Sequence, residues 1–128
     1  FLYLISLSMK PYQDARVEGE KLAKQYAELE QADQVDFYNG LEVYYSVLGH
    51  NKKQEAIAVL IEKNDHKIYV YQLDKGISQD KAATISREKG ASDIDKITFG
   101  RYQDKPIWEV KSGNQYYLVD FETGAVIQ

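Results

Sequence analysis

Apolar residues recur at spacings of three and four in two segments, and both segments are predicted to be helices. In the first, residues 10–31, these positions form one apolar stripe, while charged residues fill the opposite face and Pro11 suits the first turn. The members of the stripe are Tyr12, Ala15, Gly19, Leu22, Tyr26 and Leu29. The second helix is predicted to begin at Ser78 as its N-cap, with Asp80 in its first turn and Gly90 at its end.

Short apolar runs bounded by turn residues predict seven strands and a short apolar tail. The runs are residues 34–38, 41–48, 55–62, 67–73, 95–102, 106–111 and 115–121, and the tail is 125–127. This order predicts an internal duplication of a small α+β unit, the alternative being a chance similarity between two such stretches. Units of this size bury little apolar surface alone, so the two are expected to pack together.

The fourth run allows its pairing with the third to be predicted residue by residue. If Asn64-Asp65 is a two-residue turn, Ile61 lies opposite Ile68 and Val59 lies opposite Val70. The face that carries these residues is expected to be core beneath the first helix. The other face is too apolar for solvent, so it either packs on the second repeat or binds a partner. Its members are Ala58, Leu60, Tyr69 and Tyr71, and we single out Leu60, Tyr69 and Tyr71 as the candidate interaction or inter-repeat surface.

The first eight residues are apolar at six positions and show no periodicity. The run is shorter than the roughly 20 residues that a membrane-spanning helix needs, and no basic residue precedes it. Two interpretations remain, the C-terminal end of a membrane anchor or a short extension packed on the domain. The polar stretch that follows at Lys10 favours the anchor, and we predict that residues 1–9 form its end.

Composition restricts the function classes. The 128 residues carry a formal net charge of −4, which argues against nucleic-acid binding, because neutralising phosphates needs an excess of Lys and Arg. Cysteine is absent, which removes disulfides, thiolate catalysis and Cys-type metal sites. The single Trp, Trp108, is flanked by strand residues and is predicted to be buried. The 11 Tyr are explained either by β propensity or by an interface.

Motifs that carry chemistry are missing from the pattern. His50 and His66 fall in predicted turns without a second ligand at helical spacing. No phosphate-binding loop, dinucleotide fingerprint or nucleophile elbow occurs, and no serine has a histidine at a spacing typical of a triad. The sequence therefore predicts no catalytic residues, no metal site and no cofactor.

Two stretches of the second half resemble a PepSY domain. One is Gly76 to Ile85, GISQDKAATI, which resembles the opening helix of such a domain. The other comprises Trp108-Glu109-Val110 and the run from Tyr116 to Val126, YYLVDFETGAV, with its Asp-x-x-Thr-Gly closure. The first half matches only in plan and lacks that closure. A tandem of this kind behind an N-terminal anchor is similar to the bacterial YpmB/TseB-like cell wall elongation regulators.

This resemblance implies a cystatin-like α+β fold with two tandem repeats, each with one helix on a curved antiparallel sheet. The first, degenerate repeat would span residues 10–73 and the second residues 74–128. The protein would be held by one N-terminal helix at the extracytoplasmic face of the membrane of a Gram-positive bacterium. It would act without catalysis, binding an envelope protein such as a penicillin-binding protein. A peptidase-inhibitory or chaperone-like PepSY domain is the alternative, and a small enzyme on the same scaffold is a third.

Overall fold

The structure is a computed structural model that describes residues 11–65 and 67–127, with side chains from residue 17 onward. The predicted anchor segment 1–9 and the turn residue His66 lie outside the described residues. So do the side chains of Tyr12 and Ala15 in the predicted stripe of the first helix.

The first half forms one helix and a four-stranded antiparallel sheet. Helix α1 covers Pro11–Tyr26, and it is followed by β1 at Leu29–Asn39, β2 at Val43–Asn51, β3 at Ala56–Glu62 and β4 at Ile68–Gln72. The strand order is β1-β2-β3-β4, with every neighbouring pair antiparallel. Helix α1 lies over β1, β2 and β3.

The second half repeats this plan with three strands. A short 3-10 turn, Leu73–Lys75, leads to α2 at Gln79–Glu88, and then come β5 at Lys96–Tyr102, β6 at Lys105–Ser112 and β7 at Gln115–Asp120. The antiparallel order is β5-β6-β7, and α2 packs on β6 and β7. Over the described residues, the predicted mixed fold of helices and antiparallel sheets is confirmed, with two helices and two sheets.

Local signals place the ends of α2 as predicted. The Ser78 hydroxyl accepts the backbone N–H of Lys81 at 3.0 Å, which satisfies one of the free donors at the helix start. Gly90, two residues past the helix, has φ +115°, a conformation that favours glycine.

The predicted end of the first helix is wrong. Helix α1 ends at Tyr26 and not at residue 31, because Glu28 takes a φ of +57° and turns the chain into β1. Leu29 is buried as the first residue of that strand and not as part of the helical stripe. Tyr26, also assigned to the stripe, is exposed.

The strands β1 and β2 are longer than the alternation predicts. Two register shifts in β1, between Leu29 and Gln31 and between Ala32 and Gln34, interrupt the alternation of apolar and polar residues. The first half of β1 is therefore not recognisable as a strand from the sequence. Its partner β2 therefore runs on to Asn51, and His50 lies in a strand and not in a turn.

The β3–β4 register is confirmed, with Ile61 opposite Ile68 and Val59 opposite Val70. The face beneath α1 forms one core cluster, whose buried members are Ala23, Leu29, Val35, Tyr45, Val47, Ile57, Val59 and Ile61. The expectation that Val70 is covered there is wrong. Its side chain is 48% exposed, because β4 is the edge strand and α1 lies over the other three.

Candidate functional site at the junction of the two sheets

The edge strand β5 of the second sheet lies across the first sheet, where it contacts β1, β2 and β3. The face of the first sheet that it meets is the one predicted to need a cover. Leu60 is fully buried there, and Tyr69 and Tyr71 are half-buried against the same apolar cluster. The second sheet contributes Phe99, Trp108 and further core residues to that cluster. The structure thus brings the three predicted surface residues together at the contact between the sheets.

Arg101 of β5 connects the two tyrosines, and the sequence analysis missed it. Its Nε donates to the Tyr71 hydroxyl at 3.2 Å, and its guanidinium carbon lies 3.9 Å from the centre of the Tyr69 ring. Burial alone would lower the pKa of Arg101, but hydrogen bonds to the hydroxyls of Tyr44 and Tyr71 raise it above its ordinary value. The alternation of side chains along β5 could have indicated this position of Arg101, because it places Arg101 on the same face of the strand as the apolar Phe99.

Tyr38 of β1 packs against the opposite face of β5. Its ring is buried between two glycines, Gly40 of the following turn and Gly100 of β5, and a Cβ at either glycine would overlap the ring. Burial, with a smaller contribution from the charge of Glu109, raises the pKa of the Tyr38 hydroxyl to about 12. The side chains of Tyr38 and Tyr71 thus hold β5 from its two faces.

Gly100→Ala is therefore expected to destabilise the protein by about 1–3 kcal/mol, the range of an overpacked core. The added methyl group would overlap the buried Tyr38 ring and force it to shift. Urea unfolding of the variant measures the effect. In a Tyr38→Ala background the same change should cost much less, because the clash is gone. Equal costs in the two backgrounds would contradict this packing.

Beside Tyr38, an open cleft of about 710 Å³ separates the β1–β2 turn from the outer face of the second sheet. Its floor is formed by buried residues, namely Tyr38, Thr98 and Leu118. Its walls are the half-buried Phe37, Tyr102, Glu109 and Lys111. At its rim Leu41 is 80% exposed and Tyr116 is 53% exposed. We call this site the turn cleft.

Charges of both signs line the turn cleft. Lys96 and Lys111 face each other across β5 and β6, and the Lys96 Nζ lies 3.1 Å from an Asp36 carboxylate oxygen. Glu109 lies two residues before Lys111 on β6, opposite Thr98 of β5. Burial raises the pKa of the Glu109 carboxyl, and the nearby Lys96 charge opposes that shift only in part.

Another groove, of about 390 Å³, lies where α1 ends beside the edge strand β4. Two apolar side chains at this groove are strongly exposed, Tyr26 at 61% and Val70 at 48%. Ala27 and the buried Ile57 complete its apolar part. Its charged part is balanced, with Lys52 and Lys53 on one side of the count and Glu28 and Glu55 on the other. We call this site the edge groove.

The described residues contain neither a metal-binding cluster nor a membrane-spanning helix. Within residues 11–65 and 67–127, no three His, Cys, Asp or Glu side chains are grouped so that they could hold a metal ion. No helix of the described chain combines the length and the hydropathy needed to cross a bilayer. His50 pairs with Asp33, Nδ1 to Oδ2 at 2.9 Å, on the exposed part of β1 and β2. The described surface does offer recesses with apolar linings, among them the turn cleft and the edge groove.

Two packed antiparallel sheets, each with one helix, define a small α+β domain with exposed apolar recesses. A family model described as the cell wall elongation regulator TseB-like domain matches residues 18–62. The chain is 34% identical over 143 residues to the probable cell wall elongation regulator TseB of Bacillus subtilis, an alignment that covers 100% of this chain and 88% of that protein. The chain therefore belongs to the TseB-like family of cell wall elongation regulators.

A solved structure supports the same assignment. The YpmB protein from Bacillus subtilis is similar with a TM-score of 0.74 and 33% identity, covering 87% of this chain and 92% of that chain. The family expected from the PepSY-like stretches is thereby confirmed, and with it a regulatory class of protein.

Proposed function

We propose that this chain is a non-catalytic binding module that modulates an enzyme of cell wall elongation, a penicillin-binding protein, at the extracytoplasmic face of the membrane. The observation that carries the proposal is the edge groove, where the apolar side chains of Tyr26 and Val70 are exposed to solvent. The protein that carries this groove belongs to a family of cell wall elongation regulators. Apolar recesses with a polar rim are typical of protein interfaces.

The groove suits a protein partner because it adjoins an unpaired strand edge. Among residues 11–65 and 67–127, strand β4 pairs with β3 on one side and has no strand on its other side, so its outer edge offers backbone N–H and C=O groups to another chain. A segment of the partner could add to this edge while its side chains contact Val70 and Tyr26, which is the β-augmentation mode of recognition.

The proposal includes the two tandem PepSY-like, cystatin-like repeats at residues 10–73 and 74–128. Their support is that each range contains one helix and one antiparallel sheet. The Asp-x-x-Thr-Gly closure of the second repeat forms a compact turn, in which an Asp120 carboxylate oxygen accepts the N–H groups of Glu122 and Thr123 at 2.8 and 3.1 Å. Gly124 follows with φ +83°.

The proposed membrane anchor would end at residues 1–9. Its support is the unpatterned apolar run of residues 1–8 and the closeness of that run to α1, which begins at Pro11. An anchor there would place α1 next in the chain after the membrane.

Site-specific crosslinking tests the protein partner. A photoreactive phenylalanine analogue placed at Tyr26 or Val70 of the full chain, in membranes, is expected to capture a protein that a fluorescent penicillin labels. The matched control is the analogue at Tyr116, a similarly exposed tyrosine of the second sheet. Capture of a peptidase in place of a penicillin-binding protein would favour the inhibitory alternative. Absence of any adduct from Tyr26 and Val70 would contradict the proposed groove.

A further inference from the structure

We propose that the turn cleft binds an uncharged saccharide segment of the cell wall. The site is separate from the edge groove proposed for the protein partner, so each proposal stands without the other. Its volume of about 710 Å³ lies in the range of small-molecule sites, which is roughly 300–1,000 Å³.

Aromatic rings provide the first part of the argument. The Tyr116 ring stands half in solvent at the rim, and the rings of Tyr102 and Phe37 form part of the walls. One face of a sugar ring consists largely of C–H groups, and such a face packs well on the flat, apolar surface of an aromatic side chain. Tyr116 is exposed enough to accept a ring in this way without any rearrangement of the buried floor.

Glu109 provides the second part. Its carboxylate is half-buried in the wall, and no protein donor to it is found among the described residues. A carboxylate withdrawn from water is destabilised unless hydrogen-bond donors are supplied. Sugar hydroxyl groups or an acetamido N–H would supply them, while the Lys111 amine and the Asn39 amide at the same cleft can donate to sugar oxygens.

The balance of charge selects an uncharged ligand. Lys96 is compensated by Asp36, and Lys111 lies beside Glu109 on neighbouring strand positions. When Asp36, which neutralises Lys96, is counted with Lys96, Lys111 and Glu109, the formal charges at the cleft sum to zero. The cleft therefore has no excess of either sign that would attract a polyanion, such as a glycerol phosphate polymer, or a polycation. Donors and acceptors next to aromatic rings match a polyhydroxylated, neutral chain.

The test uses tetra-N-acetylchitotetraose as the probe, titrated into the full chain and followed by NMR or calorimetry. Saturable binding is expected, and Tyr116→Ala should weaken it by roughly tenfold, because an aromatic contact and its area are lost. Glu109→Gln should also weaken it, since an amide replaces the accepting carboxylate. No binding up to roughly 10 mM, or the same affinity in both variants, would overturn the proposal.

Two controls keep the result interpretable. Both variants should fold normally, because Tyr116 is half in solvent and because burial already disfavours the charged form of Glu109. Val70→Ala, in the edge groove, should leave sugar binding unchanged, and Tyr116→Ala should leave the protein crosslinks from Tyr26 unchanged. Binding of polyglycerol phosphate in preference to the sugar would also refute the proposal.

Discussion

Trp108→Ala is expected to lower the free energy of unfolding by about 3–5 kcal/mol, the range for removal of a buried large aromatic side chain. Trp108 is only 2% exposed. Its ring meets Phe99 edge to face with the centroids 4.9 Å apart, and its indole N–H donates to the Ile77 carbonyl at 3.0 Å. The substitution would leave a cavity between β6 and the start of α2 and an unpaired buried carbonyl. Chemical unfolding monitored by circular dichroism measures the loss.

Matched variants separate the causes of that loss. Trp108→Phe keeps a ring but removes the N–H group, so it should cost less than the alanine change. Tyr116→Ala, at an exposed aromatic of the neighbouring strand, should stay within about 0.5 kcal/mol of the parent protein. Because Trp108 is the single Trp, its fluorescence reports burial directly. A native emission spectrum equal to that of the unfolded chain would contradict the structure.

Tyr71→Ala is expected to destabilise the isolated domain by more than about 2 kcal/mol, although Tyr71 lies on the short edge strand β4. Its ring centroid lies 5.7 Å from that of Phe99, and its hydroxyl accepts the hydrogen bond from Arg101. The variant would remove these two contacts with β5. It would also leave Arg101, whose side chain is 16% exposed, with one partner fewer. The midpoint and slope of urea unfolding measure the change.

Val70→Ala is the control for this experiment. Val70 precedes Tyr71 on the same strand but points to the opposite, exposed side of the sheet, so its loss should change stability by about 0.5 kcal/mol or less. Tyr71→Phe isolates the hydrogen bond to the charged Arg101, worth about 1.5–3 kcal/mol. If Tyr71→Ala leaves stability unchanged, the two sheets are not joined through this residue, and the surface would be free for a partner.

Several features of the fold follow from local pattern. Period-2 alternation with a two-residue turn placed Ile61 opposite Ile68 correctly, because a register error of one residue would turn every apolar side chain of β4 to the wrong face. The cap at Ser78 and the stop at Gly90 were also recognisable, since each depends on backbone groups within one helical turn. Long-range contacts are not needed for either inference.

Other features could not be predicted, for physical reasons that the particular residues make clear. The bulges of β1 break the alternation, so its first half was assigned to the helix. Val70 and Val59 occupy equivalent positions in the alternation of their strands, and both are apolar. That Val70 is exposed follows only from the direction in which α1 crosses the sheet. The turn cleft joins residues 37–41 to residues 96–118, and no local period relates the two groups.

The sequence by itself determined the order of the described helices and strands, but not the end of α1 or the limits of β1 and β2. It also determined the register of the β3–β4 hairpin, the burial of Trp108 and, through its PepSY-like stretches, the family. It also determined that the face of Leu60, Tyr69 and Tyr71 needed a cover, because alternation shows which side of a strand is apolar. The tertiary structure decided that β5 supplies that cover, that Arg101 joins the tyrosines, and that the turn cleft and the edge groove stay open. The reason is that side-chain periodicity is a property of one strand, whereas the element that covers a face is settled by how two sheets pack on each other.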